Sequence, residues 1–208
     1  MLKRGVPRIV DPEARRSAVV DALFRVVRRD GVEQASLRNV AEEAGLAIGS
    51  VRHYFDSHDE LLVFALRELE DRVEVRMRAG AERIFAADSS AERRPLVEAL
   101  LGELLPLDAD RHDEAVIWLA FVTAARTRPS LRPSALRLHE GLRMVVGRIL
   151  AGAARLGALP EGVAVDVETE RLAALVDGLA VNAVLQPDRT TPEVMVAVLS
   201  RHLDDLAG

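Results

Sequence analysis

Ser36–Phe55, SLRNVAEEAGLAIGSVRHYF, is the stretch on which the reading of this chain turns. Leu37, Val40, Ala41 and Ala44 recur at the spacing of one apolar helix face. Gly45 follows at once, where a helix end favours a residue that tolerates positive φ, and Leu46 supplies an apolar plug. Val51, Tyr54 and Phe55 then rebuild an inward face three to four residues apart, which leaves Arg52 and His53 pointing outward. Two short helices crossing through a glycine-containing turn form a helix-turn-helix, whose second helix lies in the major groove of DNA.

The flanking sequence supplies the rest of a small helical head. Asp11, Pro12 and Glu13 combine an N-cap oxygen, a proline suited to the first helical turn and an acid near the positive helix end. The helix they open turns Val19, Ala22, Leu23, Val26 and Val27 inward and stops at Asp30 and Gly31. Ser36 caps the next helix, and Ser57 with Glu60 forms a capping box that opens a long helix through about residue 80. Beyond the turn SSAERRP the pattern stays helical, roughly over 94–105, 111–127, 131–156, 167–186 and 192–206. Its breaks fall at Pro106, Pro129, Gly157 with Pro160, and Pro187 with Pro192. The fold class is therefore all-α: a three-helix head, residues 1–56, on a helical body, residues 57–208.

The motif resembles the DNA-binding segment of the TetR/AcrR family of transcriptional regulators. An AG pair, a short turn, Gly49 and the aromatic pair Tyr54–Phe55 precede the acidic helix start DSHDELL. The likeness is sharp from about residue 11 to 66, and the length and all-helical remainder agree with it. It implies a regulator, most simply a repressor, that leaves a palindromic operator when a small molecule binds the body. It also implies a homodimer joined through the last two helices in a four-helix interface.

Composition sets the outer limits. The chain has 208 residues, 49% of them apolar but only 3% aromatic, so its core is built from Ala, Val and Leu. It has no cysteine, which excludes a disulfide scaffold and thiolate metal sites. The opening MLKRGVPRIVDPE has no apolar run of a signal peptide, and the longest apolar run, Ala115 to Ala125, is too short to span a bilayer. A cytoplasmic protein with no membrane partner is expected. The net charge of −5 is unevenly spread: residues 1–56 hold ten Lys or Arg against eight Asp or Glu, and the remainder eighteen against twenty-five. Lys3, Arg4, Arg8, Arg15 and Arg16 concentrate the basic excess ahead of the motif, where phosphate neutralisation is useful, although a charge run is also an ordinary solvated face.

Each residue of the motif has a readable chemistry. Arg52 is the base reader of choice, because its fork matches guanine O6 and N7. His53 can contact a base or phosphate, Ser50 a phosphate, and Ile48 a thymine methyl unless it packs inward. Ser36 and Arg38 start the second helix, which in this architecture crosses the backbone, and Arg38 can clamp a phosphate or reach a base edge. Gly49 removes any side chain from the approach to the groove. Tyr54 combines a ring in the head's core with a hydroxyl on a phosphate. Two positions depart from the family pattern. Ala47 stands where a Ser or Thr cap is common, and His58 where a lysine usually touches the backbone. Glu42 and Glu43 read as solvated acids.

For the body, the resemblance implies a ligand pocket, and Phe85, Trp118, Phe121, Arg126, His139, Met144 and Asn182 have the chemistry to line one, or else form plain core. Asp177 and Asn182 interrupt the apolar penultimate helix. They can anchor a ligand, satisfy each other across a dimer, or cap a neighbouring helix. Leu172, Leu175, Val176, Leu179, Ala183 and Val184, with Val194, Val196, Ala197, Val198 and Leu199, give the last two helices broad apolar faces, for the protomer's own core or for a second copy.

Enzyme signatures are missing. No histidine falls in a zinc-protease or di-iron spacing, and His112, Asp113 and Glu114 are adjacent and so splay around a helix. The glycines at 45 and 49 lack the ending of a phosphate loop. Neither a metal nor a cofactor is expected. The alternative to a DNA-binding regulator is a helical ligand-binding or scaffold protein whose head, lacking the cap and the lysine, grips DNA weakly.

Overall fold

A computed structural model describes residues 12–87 and 89–208, apart from the side chains at 12, 85, 90 and 91. Among the described residues there are nine α-helices and no strand: α1 Pro12–Asp30, α2 Leu37–Glu43, α3 Ile48–Tyr54, α4 His58–Ala86, α5 Ser90–Gly102, α6 Ala109–Ala125, α7 Arg132–Arg155, α8 Val165–Leu185 and α9 Pro192–Ala207. The chain divides into two compact units, Met1–Ala65 and Leu66–Gly208.

The first unit is closed by the face of α1. Val19, Ala22, Leu23, Val26 and Val27 are buried there, with Val20 and Phe24 beside them. α1 packs against α2, which in turn packs against α3, and Val40 and Ala41 of α2, Val51 of α3, Phe55, and Leu61, Leu62 and Ala65 of α4 are buried in the same unit. The expected N-cap Asp11 lies outside the described residues. The turn between α2 and α3 is a Schellman closure. The Gly45 amide donates to the Glu42 carbonyl at 3.0 Å and the Leu46 amide to that of Ala41 at 2.9 Å. This geometry needs the left-handed backbone of Gly45, at φ 66°. Ser36 caps α2 by accepting from the Asn39 amide at 3.2 Å. Ser57 accepts from the Glu60 amide at 3.1 Å, while the Glu60 carboxylate takes the Asp56 amide at 2.7 Å, one residue before the cap.

In the second unit α8 lies against α6, α7 and α9, and α5 against α9. Its core is almost wholly aliphatic: Leu101, Leu105, Val146, Leu150, Leu172, Val176, Leu179, Met195, Leu199 and Leu203. Arg94 of α5 reaches both the Ser200 carbonyl, at 3.1 Å, and the Asp204 carboxylate, at 2.8 Å, on α9. A second Schellman closure ends α7, with Gly157 at φ 69° and the Ala158 amide donating to the Ala153 carbonyl at 2.9 Å.

Two helix limits differ from those read in the sequence. α4 continues past Gly80 to Ala86. Gly80 is buried there, and a Cβ on it would strike the Leu100 side chain of α5, so this glycine permits close helix packing and does not end the helix. The stretch SSAERRP is the start of α5, not a turn, because Ser89 accepts from the Glu92 amide at 3.2 Å and caps it. Pro95 falls early enough in that helix to withhold a single hydrogen bond from its first turns.

The last two helices divide their apolar residues between two sides. Leu172, Val176, Leu179, Ala183, Met195 and Leu199 are buried within the protomer, and Leu175 and Val184 are half-buried. Leu185, Val194, Ala197 and Val198 are exposed, as is Val196. Leu199, grouped in sequence with the outer valines, therefore belongs to the inner set.

Candidate DNA-reading surface and body cavity

Rotation of α3 is fixed by its two anchors. Val51 is fully buried and Phe55, just past the helix, nearly so, with the Phe55 ring edge-on to Phe64 at 5.4 Å between centroids. Gly49, Ser50, Arg52 and His53 are consequently exposed, while Ile48 is half-buried. Tyr54 is half-buried, its ring edge-on to that of His53 at 5.2 Å. A Cβ on Gly49 would meet nothing within 4 Å, so the fold does not demand glycine there. Arg38 is exposed on α2, whereas Ser36 has its hydroxyl oxygen engaged in capping. His58 is the half-buried first residue of α4. Ala47 occupies the N-cap of α3 and gives it no side-chain hydrogen bond. The basic residues Lys3, Arg4 and Arg8 lie outside the described residues. Arg16 is exposed, with its guanidinium 5.8 Å from the centre of the Phe64 ring, a cation–π distance.

One acid of the head is not the solvated residue its position suggested. Glu43 is half-buried and accepts from Arg25 at 2.7 Å and from Arg29 at 3.0 Å, both on α1. These hydrogen bonds, first from Arg25 and then from Arg29, hold the Glu43 carboxyl below the ordinary glutamate range. Arg29 is raised in turn, chiefly through Asp30, which accepts from it at 2.9 Å, and then through Glu43. The clamp ties α1 to the helix preceding the reading helix and engages two arginines that composition alone would count toward phosphate binding. The signal available in sequence was the four-residue spacing of Arg25 and Arg29, which places both on one helix face.

The body holds a cavity of about 710 Å³ between α4, α6, α7 and α8. Its wall contains Trp118, His139 and Met144 from the expected set. Phe121 is fully buried and off the wall; Arg126 is exposed at the C-cap of α6; Asn182 is exposed on α8 and also off the wall. The Phe85 side chain lies outside the described residues. Apolar walls come from Leu69, Met77, Leu105, Val176 and Ala180.

The charges around the cavity escaped the sequence reading, because they come together only when four helices pack. Arg76 of α4 donates to both carboxylate oxygens of Glu114 on α6, at 3.0 and 2.5 Å, and that bond, with neighbouring acids, raises it. Arg137 of α7 lies 3.3 Å from Glu70 of α4, whose carboxyl is nonetheless pushed up, burial outweighing the arginine. Of the three roles open to Asp177, the geometry brings it to the cavity wall, where its carboxylate is 3.6 Å from Nδ1 of His139. Burial raises its pKa, with His139 and Arg143 opposing more weakly. Arg143 is itself held by Glu170 at 2.9 Å.

Comparison with known proteins bears on both units. Residues 19–63 match the description "Bacterial regulatory proteins, tetR family", and residues 93–208 match "BetI-type transcriptional repressor, C-terminal". The chain is similar to the HTH-type transcriptional regulator PksA of Bacillus subtilis, at 33% identity over 97% of this chain and 94% of that protein. It is also similar to the HTH-type transcriptional regulator BetI of Rhizobium meliloti, at 26% identity over 96% and 92%. Among solved structures, a transcriptional regulator from Rhodococcus sp. RHA1 superimposes with a TM-score of 0.75 at 31% identity, covering 92% of this chain and 95% of that one.

Proposed function

Because the chain belongs to the TetR family of DNA-binding transcriptional regulators, with a BetI-type repressor C-terminal region, we propose that it is a homodimeric repressor reading a palindromic operator through Arg52. The observation that supports this most directly is the rotation of α3: Val51 and Phe55 anchor it inward, and Arg52 and His53 stand exposed beside a glycine with open space above it. In this reading Arg52 contacts a guanine edge, His53 and Ile48 neighbouring bases, and Ser50, Arg38, Tyr54, His58 and the outer side of Ser36 the sugar-phosphate backbone.

Pairing uses the outer sides of α8 and α9. Val194 and Leu185 are 42% and 65% exposed there, and apolar residues at such exposure favour a covering surface. A two-fold axis through those helices gives two reading helices related as the halves of a palindrome. The cavity takes the effector, which releases DNA by binding the non-reading conformation more tightly than the reading one. The site of action is the cytoplasm.

The test is operator binding by full-length protein on DNA from upstream of its own gene. Arg52→Ala is expected to weaken specific binding by about 1–3 kcal/mol, roughly ten- to a hundredfold, with an unchanged melting temperature. Sequence-indifferent binding by the wild type, equally strong in the variant, supports instead a ligand-binding protein with a weak head, the reading that the uncapped start at Ala47 would favour.

A further inference from the structure

α3 is held unevenly along its length. Its two anchors, Val51 and Phe55, lie at its middle and just past its end, whereas its start at Ala47 carries no side-chain cap. The direction of that start is therefore set by what precedes it, the closed turn at Gly45 and, before the turn, α2. α3 packs against α2 and α2 against α1, so α2 relays the position of the reading helix to the rest of the head. It is a slight relay, seven residues long, with Val40 and Ala41 buried.

Polar contacts fix both ends of α2. At its start Ser36 caps the Asn39 amide, and the Asn39 side chain donates to the Gln34 carbonyl at 2.8 Å. At its end, beside the turn, stands Glu43. A carboxylate there opposes the partial negative charge of a helix C-terminus, and the compensation comes from α1. Arg25 Nε donates to one carboxylate oxygen at 2.7 Å and Arg29 to the other at 3.0 Å. A second nitrogen of Arg25 reaches the Glu43 carbonyl, one of the last acceptors of α2, at 3.4 Å. One side chain thus ties two turns of α1 to the last residue of α2 before the turn into α3.

Resting on the assignment of α3 as the operator-reading helix, we propose that Glu43 is a positioning residue for sequence recognition: gripped by Arg25 and Arg29, it fixes the end of α2 and so the pose in which α3 presents Arg52. It acts through the helix and not by touching a base. The same grip keeps two guanidiniums from phosphates, which favours selectivity over bare affinity.

The wild-type full-length protein first selects an operator duplex from a random-sequence pool. Wild type and Glu43→Gln are then compared on that duplex and on a scrambled one of equal length. Operator affinity is expected to fall about three- to tenfold, the low end of couplings within one ion-pair network, because these pairs are partly exposed. Affinity for the scrambled duplex should hold or rise, since the substitution removes a negative charge and releases two arginines. The melting temperature should stay within about 2 °C. Opposite movement of the two affinities separates positioning from other roles: a loss of folding weakens both, and relief of charge repulsion tightens both. Glu43→Asp should restore part of the selectivity, and Arg25→Gln with Glu43→Gln should lose no more of it than either change alone. Should Glu43→Gln fail to fold, Arg25→Lys, which keeps the charge and loses the planar fork, carries the same comparison. Unchanged selectivity, two affinities that move together, or losses that add in the double variant overturn the proposal. A wild type that enriches no sequence from the pool overturns operator reading itself and this role with it. A selective wild type whose selectivity survives Glu43→Gln overturns this role alone.

Discussion

The two units place their chemistry on the surface in opposite ways. In the first, every exposed group of α3 comes from seven consecutive residues, and two buried neighbours, Val51 and Phe55, decide which of them face outward. In the second, the cavity wall gathers residues from four helices more than a hundred positions apart, from Leu69 on α4 to Ala180 on α8. A reading helix needs only the helical period and a few anchors, whereas a cavity exists only where packing leaves a gap. The first is robust to changes in distant residues, and the second depends on them.

The sharpest way to break this contrast is to remove an anchor of the head. Phe55→Ala empties a nearly inaccessible site against Phe64 and should cost about 3–5 kcal/mol in denaturant unfolding, with operator binding lost alongside. Retained operator affinity in that variant would show that the head's surface does not depend on its core. A smaller change runs the other way. Ala47→Ser supplies the absent cap of α3 and should stabilise the protein by about 1 kcal/mol, measured as a shift in the denaturation midpoint at constant slope.

The body responds differently, because its cavity wall carries a carboxylate that burial disfavours in its charged form. Burial raises the Asp177 carboxyl in the folded state, while in the unfolded chain it titrates normally. The native state therefore binds more protons in the window between those two values, so stability falls as pH rises through it and stays lower above. Asp177→Asn carries no such penalty. It should melt higher than wild type at neutral pH, by about 1–3 °C, with the difference vanishing below the ordinary aspartate pKa of about 3.9. A variant that melts lower at pH 7 would mean that the His139 contact outweighs desolvation. The smallest effect is expected at the head's edge. His58→Lys should tighten operator binding at pH 7.5 and steepen its salt dependence by about one charge. Unchanged affinity and slope would place His58 away from the phosphates.

Glu43 and Gly80 show where a linear reading stops. The acid next to Glu42 carries nothing in its own neighbourhood to distinguish it, yet it is pinned by two arginines fourteen and eighteen positions away. Gly80 has the look of a helix end, and only the presence of Leu100 on a neighbouring helix explains why the chain continues through it. Trp118, His139 and Met144 were legible as cavity residues by their chemistry, whereas Phe121 has the same chemistry and is core, because exposure to a gap is not written in a side chain's type.

The local order of residues was enough to determine the all-helical class, the Schellman turn at Gly45, the capping of α2 and α4, and the outward direction of Arg52 and His53. Each follows from interactions spanning at most one or two turns of chain, and these are the same wherever the segment occurs. Tertiary structure alone decided the Glu43 clamp, the division of α8 and α9 into inner and outer sides, and the meeting of Asp177, His139 and Trp118 around one space. Those depend on which helices come to lie together, and a desolvated charge acquires its character only from the neighbours that packing brings to it.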